Sequence, residues 1–201
     1  MGVLERAHGA YTYDRRVDRL AAHLGALLPD GAEVLDVGCG DGMLALLVAE
    51  RRPDVSITGI DVLVRPHTEV PVEGFDGSHI PRGDNSVDAV MFVDVLHHTD
   101  DAMVLLREAR RVARRGIVVK DHTRSGLLAG ATLRFMDRVG NARHGVALPY
   151  NYWTKRQWSQ ALSALGLEVE AWKTDLRIYP APADWIFGRS LHFVARLAVP
   201  R

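Results

Sequence analysis

The chain has 201 residues, 47% of them hydrophobic and 25% charged, which is enough for one sizeable core in an ordinary globular protein. Its 25 basic and 25 acidic side chains cancel, which removes any general pull toward nucleic acid or an anionic membrane. The single cysteine, Cys39, excludes an intrachain disulfide and fits a reducing compartment. No apolar run is long enough to span a membrane. The charged start (Glu5, Arg6, Asp14, Arg15, Arg16) reads without a signal peptide, so one cytoplasmic domain over residues 1–201 is expected.

Residues 1–9 read as a loose leader. Val17, Leu20, Leu24 and Leu27 or Leu28 then recur at helical spacing, with Asp14 as N-cap and Pro29-Asp30-Gly31 as the stop. Glu33–Val37 reads as a first, buried strand. Gly38, Gly40 and Gly42 crowd the next turn, and Leu44–Arg51 reads as a helix. Strand, glycine turn and helix N-terminus form a cradle for a nucleotide-type ligand. The spacing is GxGxG, with Met43 after the third glycine and no Lys-Ser or Lys-Thr, so an ATPase-type phosphate loop is excluded. Asp36, two residues before the turn, would repel a pyrophosphate and would suit a ligand carrying an ammonium or sulfonium group. The plainer alternative is a glycine turn with Asp36 bonded to backbone amides.

A second strand, Val55–Val62, ends in Asp61, where a carboxylate can accept hydrogen bonds from both hydroxyls of a ribose. Leu63–Thr68, with Pro66, is too short for the usual connecting helix. Glu69–Phe75 reads as a short third strand with Asp76-Gly77-Ser78 at its end. Asp88–Val93 is the fourth, apolar enough for burial on both faces. The polar loop Asp94–Asp101 leads to a helix from Ala102 to about Arg114, capped by Thr99 or Asp100 and ended by Gly116. Arg107, Arg110, Arg111, Arg114 and Arg115 form its wet side. Ile117–Lys120 is the fifth strand, followed by Asp121-His122. A helix within Gly126–Val139 and a loop carrying His144, Tyr150, Asn151, Tyr152 and Trp153 come next. Thr154 then caps a helix ending at Leu165. Leu167–Trp172 and His192–Leu197 complete seven strands. The alternation predicts an α/β protein with a mostly parallel sheet and helices on both faces.

In combination, these segments resemble the class I S-adenosylmethionine-dependent methyltransferases of small-molecule type. VLDVGCGDG (Val34–Gly42) resembles their glycine-rich motif. Asp61, Asp76 before Pro81, DNSVDAV (Asp84–Val90), VLHHTDD (Val95–Asp101) and REARRVARRG (Arg107–Gly116) follow in the matching order. The resemblance covers about Tyr13 to Lys120. It implies a three-layer sandwich whose seven-stranded sheet has the order 3-2-1-4-5-7-6, with strand 7 antiparallel. It implies S-adenosylmethionine as cofactor and S-adenosylhomocysteine as product. Asp36 and the Gly38, Cys39, Gly40 turn would hold the methionine part and Asp61 the ribose. Asp76 and Gly77 would meet the adenine, Phe92 and Asp94 would line the methionine or acceptor side, and Tyr13 would lie over the cofactor. Residues 1–30 would form a helical lid and residues 121–160 a substrate-side insertion.

Groups for the acceptor belong where loops leave the C-terminal ends of the strands. These are His97 and His98 after the fourth strand and Asp121 and His122 after the fifth, with Tyr150, Asn151, Tyr152 and Trp153 as walls. His122, His98 and Asp121 are the catalytic candidates; His97 and the four loop residues are candidate substrate contacts. No metal site is expected, because the histidines and acids are scattered and the cysteine stands alone. The expected partner is a small molecule acting on a monomer or homodimer, without nucleic acid or membrane. One rival reading, an NAD(P)-dependent oxidoreductase, is opposed by the glycine spacing, by Asp36 and by the lack of a Tyr-x-x-x-Lys pair. The other is a methyltransferase fold that has lost turnover and serves as an interaction protein.

Overall fold

The computed structural model describes residues 15–141, 150–181, 183–188 and 190–200. Tyr13, the Asp14 cap and His144 lie outside them. The sheet has seven strands: β1 (Glu33–Val37), β2 (Ser56–Asp61), β3 (Val72–Gly74), β4 (Val87–Val93), β5 (Ala113–His122), β6 (Glu168–Lys173) and β7 (His192–Ala198). Their order is β3-β2-β1-β4-β5-β7-β6. β1 to β5 pair in parallel, and β7 runs antiparallel between β5 and β6, as the resemblance implies.

One face of the sheet is covered by α1 (residues 15–25) and α2 (Met43–Arg51), the other by α3 (Ala102–Val112) and α5 (Lys155–Ala164). Two buried clusters result. Leu20, Leu24, Val48, Val34, Met91 and Val118 meet on the first face. Leu35, Val37, Phe92, Leu105, Leu106, Val119 and Trp158 meet on the second. Because side chains alternate along a strand, Asp36 shares the face of Val34, and Lys120 and His122 share that of Val118. α4 (Ala129–Asn141) lies in the segment after β5. No helix among the described residues is long and apolar enough to cross a membrane.

Three local readings change. α3 stops at Val112, and β5 takes in Arg114, Arg115, Gly116, Asp121 and His122. Gly116 is therefore a strand residue. A Cβ there would meet the Leu197 carbonyl oxygen at 2.7 Å, so glycine is what allows β7 to pair against β5. The N-cap of α3 is Asp101, whose side chain accepts from Met103 N. The arginines are not simply a wet face. Arg111 binds Glu108, Asp84 and the carbonyls of Ile80 and Arg82, and Arg114 pairs with Asp88. Thr154 caps α5 as expected, in a full capping box with Gln157.

Candidate functional site

Two groups of residues sit at the C-terminal ends of the parallel strands. The first is the glycine turn between β1 and α2. Gly38, Gly40 and Gly42 all have positive φ (76°, 64° and 80°). A Cβ on Gly38 would meet Val95 Cγ2 at 2.6 Å, and one on Gly42 would meet Val70 Cγ2 at the same distance. At Gly40, by contrast, no described atom would lie within 4 Å of an added Cβ. The turn is thus packed at its two shoulders and open at its middle. Asp61 holds that shape: Gly40 N donates to Oδ2 and Leu63 N to Oδ1, both at 2.8 Å. Cys39 is turned onto β2, where its Sγ packs over Gly59 and its N–H donates to the Ile60 carbonyl. Burial, reinforced by Asp36 and Asp61, pushes its thiol up to about 12, so it is inert at neutral pH.

Asp36 is the unusual member. It is only 3% exposed, and its Oδ1 has no hydrogen-bond partner among the described residues. Burial, with the Asp61 charge added, pushes the carboxyl up to about 7. A buried carboxylate without a cation beside an open glycine is the arrangement an ammonium-bearing ligand would complete. The donor set therefore fits the methionine end of S-adenosylmethionine. Asp76 lies in the loop after β3, where Oδ1 accepts from Ser78 N, Ser78 Oγ and His79 N, with Gly77 at φ 83° beside it. These bonds hold its carboxyl below the usual range.

The second group gathers at the ends of β4 and β5. Asp94 has φ 56°, and its carboxylate pairs with the buried Lys120 ammonium and, at 3.3 Å, with Arg16. Burial works against its charge, but Lys120, Arg16 and His97 outweigh it and hold the carboxyl well below its ordinary value. Asp121 accepts from Leu96 N and His122 N and pairs with His97 Nδ1 at 2.6 Å. Although burial disfavours a charged ring, Asp121, Asp137 and Asp94 together push His97 up to about 10. His97 is thus a buried ion-pair member and not an exposed wall. His122, one of the catalytic candidates, lies 3.5 Å from the Asp121 carboxylate through Nδ1; burial beside Lys120 keeps its ring neutral.

Tyr152 is buried and donates its hydroxyl to Asp137 on α4, while His97 Nε2 lies 3.4 Å from the same carboxylate. Asn151 donates its amide to the carbonyls of Thr99 and Asp100, and its backbone N–H to that of His97. It latches the insertion to the loop after β4. Trp153 packs on Trp158, whose Nε1 donates to the His122 carbonyl. Phe92 is fully buried in the second core cluster, because its position on β4 points it toward α3 and away from the strand ends. His98 and Tyr150 remain half-buried. His98 stacks on His97 with centroids 4.1 Å apart, and its Nδ1 lacks a described partner. Tyr150 lies beneath the Arg134 guanidinium.

Sequence reasoning missed Arg16, Lys120, Asp137 and His192 in this network. Lys120 left a signal, as one charge ending an apolar strand run. So did Asp137, four residues after Leu133 on the buried face of α4. His192 faces His122 in the β5–β7 register, which only the folded sheet reveals. The fold also gathers what the sequence scatters: Asp94, His97, Asp121 and His122 bring donor atoms within 4.8 Å of one another.

A family profile described as a methyltransferase domain matches residues 6–171. The 27-O-demethylrifamycin SV methyltransferase of Amycolatopsis mediterranei is 32% identical over 120 residues, which is 52% of this chain and 44% of that protein. The chain therefore spans less than half the length of this curated relative. Among solved structures, a complex between the Haloferax volcanii Trm112 methyltransferase activator and a candidate methyltransferase superimposes with a TM-score of 0.70 at 17% identity. It covers 97% of this chain and 95% of that one. The [4+2]-cyclase SpnF does so with 0.63 at 21% identity, covering 91% and 80%. These likenesses show the fold, and the second shows that the fold is not tied to one chemistry.

Proposed function

The chain belongs to the methyltransferase-domain family, and from that premise we propose that it transfers a methyl group from S-adenosylmethionine to a small-molecule acceptor. The observation that carries this reading is Asp36 Oδ1, buried without a partner beside the open position at Gly40. When bound, the cofactor supplies a methyl carbon already activated by the positive sulfur. Asp36 would face its ammonium, the Gly38–Gly42 backbone its amino-acid chain, Asp61 the ribose and Asp76 with Gly77 the adenine.

The remaining task of the chain is alignment. The acceptor's nucleophilic atom bonds to the methyl carbon as the carbon–sulfur bond breaks, and that electron pair stays on sulfur. Lys120 and Arg16 share the Asp94 carboxylate at the end of β4, so all three are held by one another and fix the loop. His98 is half-buried against this network, and its Nδ1, enclosed and without a described partner, would serve an acceptor hydroxyl that reaches it from within the loop. Tyr150 supplies a half-exposed aromatic wall nearby. A small acceptor is supported by the balanced charge of the chain and by the relative that acts on 27-O-demethylrifamycin SV.

Calorimetric titration with S-adenosylmethionine, S-adenosylhomocysteine, NAD and NADH tests the cofactor. Saturable binding of the two sulfur compounds, weakened at least tenfold by Asp61→Ala, is expected. Binding of NAD or NADH alone would replace this reading with the oxidoreductase one. If folded protein bound none of the four, the interaction-protein reading would stand in its place. Acceptors are then screened with a labelled methyl group.

A further inference from the structure

The four donors at the ends of β4 and β5 do not satisfy one another by hydrogen bonding alone. His122 Nδ1 lies 3.4 Å from His97 Nδ1 and 3.5 Å from both Asp94 Oδ1 and Asp121 Oδ1. If His97 Nδ1 carries the proton, it donates to Asp121 at 2.6 Å. The lone pair of His122 Nδ1 then faces two carboxylate oxygens. If His122 Nδ1 carries a proton as well, its carboxylate acceptors lie at 3.5 Å and two N–H groups face each other at 3.4 Å. Neither arrangement pairs this fully enclosed ring nitrogen well.

A cation does. Ligand atoms bound tetrahedrally to zinc at 2.0–2.1 Å lie about 3.4 Å from one another. The three spacings around His122 Nδ1 already have that length. Of the other three edges of the tetrahedron, His97–Asp121 is shorter and would widen as a cation displaced the proton between them, while the two edges from Asp94 lie within 4.8 Å and would adjust on binding. The surroundings point the same way. The second nitrogen of His97 faces Asp137 Oδ2 at 3.4 Å, and that carboxylate is in turn held by the Tyr152 hydroxyl. A carboxylate on the far nitrogen of a ligating histidine is the usual second layer of a metal site. Two ligand carboxylates balance a dication, and Asp137 offsets one of the two cations, Lys120 and Arg16, that share Asp94. A triple of His97, His98 and Asp137 is also compact. It offers one donor fewer and would take Asp137 out of that supporting position.

We propose that Asp94, His97, Asp121 and His122 form a four-coordinate site for a divalent cation of the zinc class. Two imidazoles and two carboxylates suit such ions better than calcium or magnesium. With four protein ligands the site is closed, so its work is to tie the loop after β4 to the end of β5.

The test uses the full chain, purified without a polyhistidine tag, stripped with a chelator and titrated with zinc alone. Calorimetry is read beside metal analysis after desalting. One zinc per chain is expected in the wild type, loss of that zinc in His122→Gln, and affinity about 10–100-fold weaker in Asp137→Asn. His67→Gln, at an exposed histidine, should bind as the wild type does. No retained zinc in the wild type, or equal retention in a folded His122→Gln variant, overturns the proposal. Should that variant fail to fold, cobalt uptake by the wild type decides. The intense visible bands of four-coordinate cobalt support the site, and a pale six-coordinate spectrum or no uptake overturns it. Because no methyl donor is present, failure here leaves the cofactor reading untouched, and the reverse holds equally.

Discussion

The two ends of the site are built on opposite plans. Around the glycine turn, polar groups are recruited locally and one of them is left wanting: Asp61 is spent on the backbone, and Asp36 Oδ1 has no hydrogen-bond partner among the described residues. Around the ends of β4 and β5, nearly every charge is answered by another from a distant part of the chain. Arg16 meets Asp94, Asp94 meets Lys120, His97 meets Asp121, and Tyr152 meets Asp137. The first plan stores a demand that a ligand can meet. The second answers its charges with one another and so holds the fold in register, while the ring nitrogens His97 Nε2, His98 Nδ1 and His192 Nε2 keep no described hydrogen-bond partner.

Disturbing the second region should therefore cost more stability. Lys120→Met leaves the Asp94 carboxylate short of its principal partner in a buried setting, and a loss of about 3 kcal/mol is expected in denaturant unfolding. A loss below about 1 kcal/mol would show that Arg16 alone satisfies Asp94 and would blur the contrast.

Asp36→Asn should do the reverse, trading function for stability. With its carboxyl pushed up to about 7 from the ordinary 3.8, the empty protein keeps the full benefit of a neutral Asp36 below pH 4 and loses it as pH rises through 7. The variant should thus be more stable than the wild type at pH 8, by on the order of 1–3 kcal/mol, and no more stable at pH 4. The groups facing Asp36 are the Asp61 carboxylate, which raises it further, and the Cys39 thiol, which stays protonated in this range. The same substitution should weaken S-adenosylmethionine binding at least tenfold at pH 8. In the wild type, affinity should climb between pH 6 and 7.5 as Asp36 ionises. Thermal melts and titrations across pH read both effects.

The smallest effect is expected from Asn151→Ala. It removes the amide bonds to Thr99 and Asp100 at an exposed position, for a loss of about 1 kcal/mol. Cofactor affinity should not change, because the latch lies wholly on the acceptor side. A drop in that affinity would join the two regions that the structure keeps apart.

The contrast also explains what could be read from the chain. The glycine turn was legible because its chemistry is contiguous: Val34–Gly42 holds the strand, the three glycines and Asp36, and Asp61 closes the next strand in parallel register. The number of strands and the parallel character followed from alternation, but the order of the sheet came with the family resemblance. The acceptor side resisted for a physical reason. Asp121 and His122 are neighbours in sequence, yet the ring nearest the Asp121 carboxylate is that of His97, 24 residues earlier, at 2.6 Å against 3.5 Å for His122. Asp137 and Tyr152 meet only because α4 folds back over the strand ends. Gly116 looked like a helix stop and was a point of contact with β7, a strand some eighty residues further on.

The Asn151 latch has one more consequence. All three of its acceptors are main-chain carbonyls, at His97, Thr99 and Asp100. Every sequence supplies those atoms, whatever side chains it carries. The segment around Asn151 is thus fastened to the loop after β4 by a grip indifferent to the identity of what it holds. Side chains on the loop after β4 can drift, and the insertion can be rewritten around its asparagine, without either change obliging the other. Such a joint would let the glycine-turn half stay as it is while the half it fastens is varied.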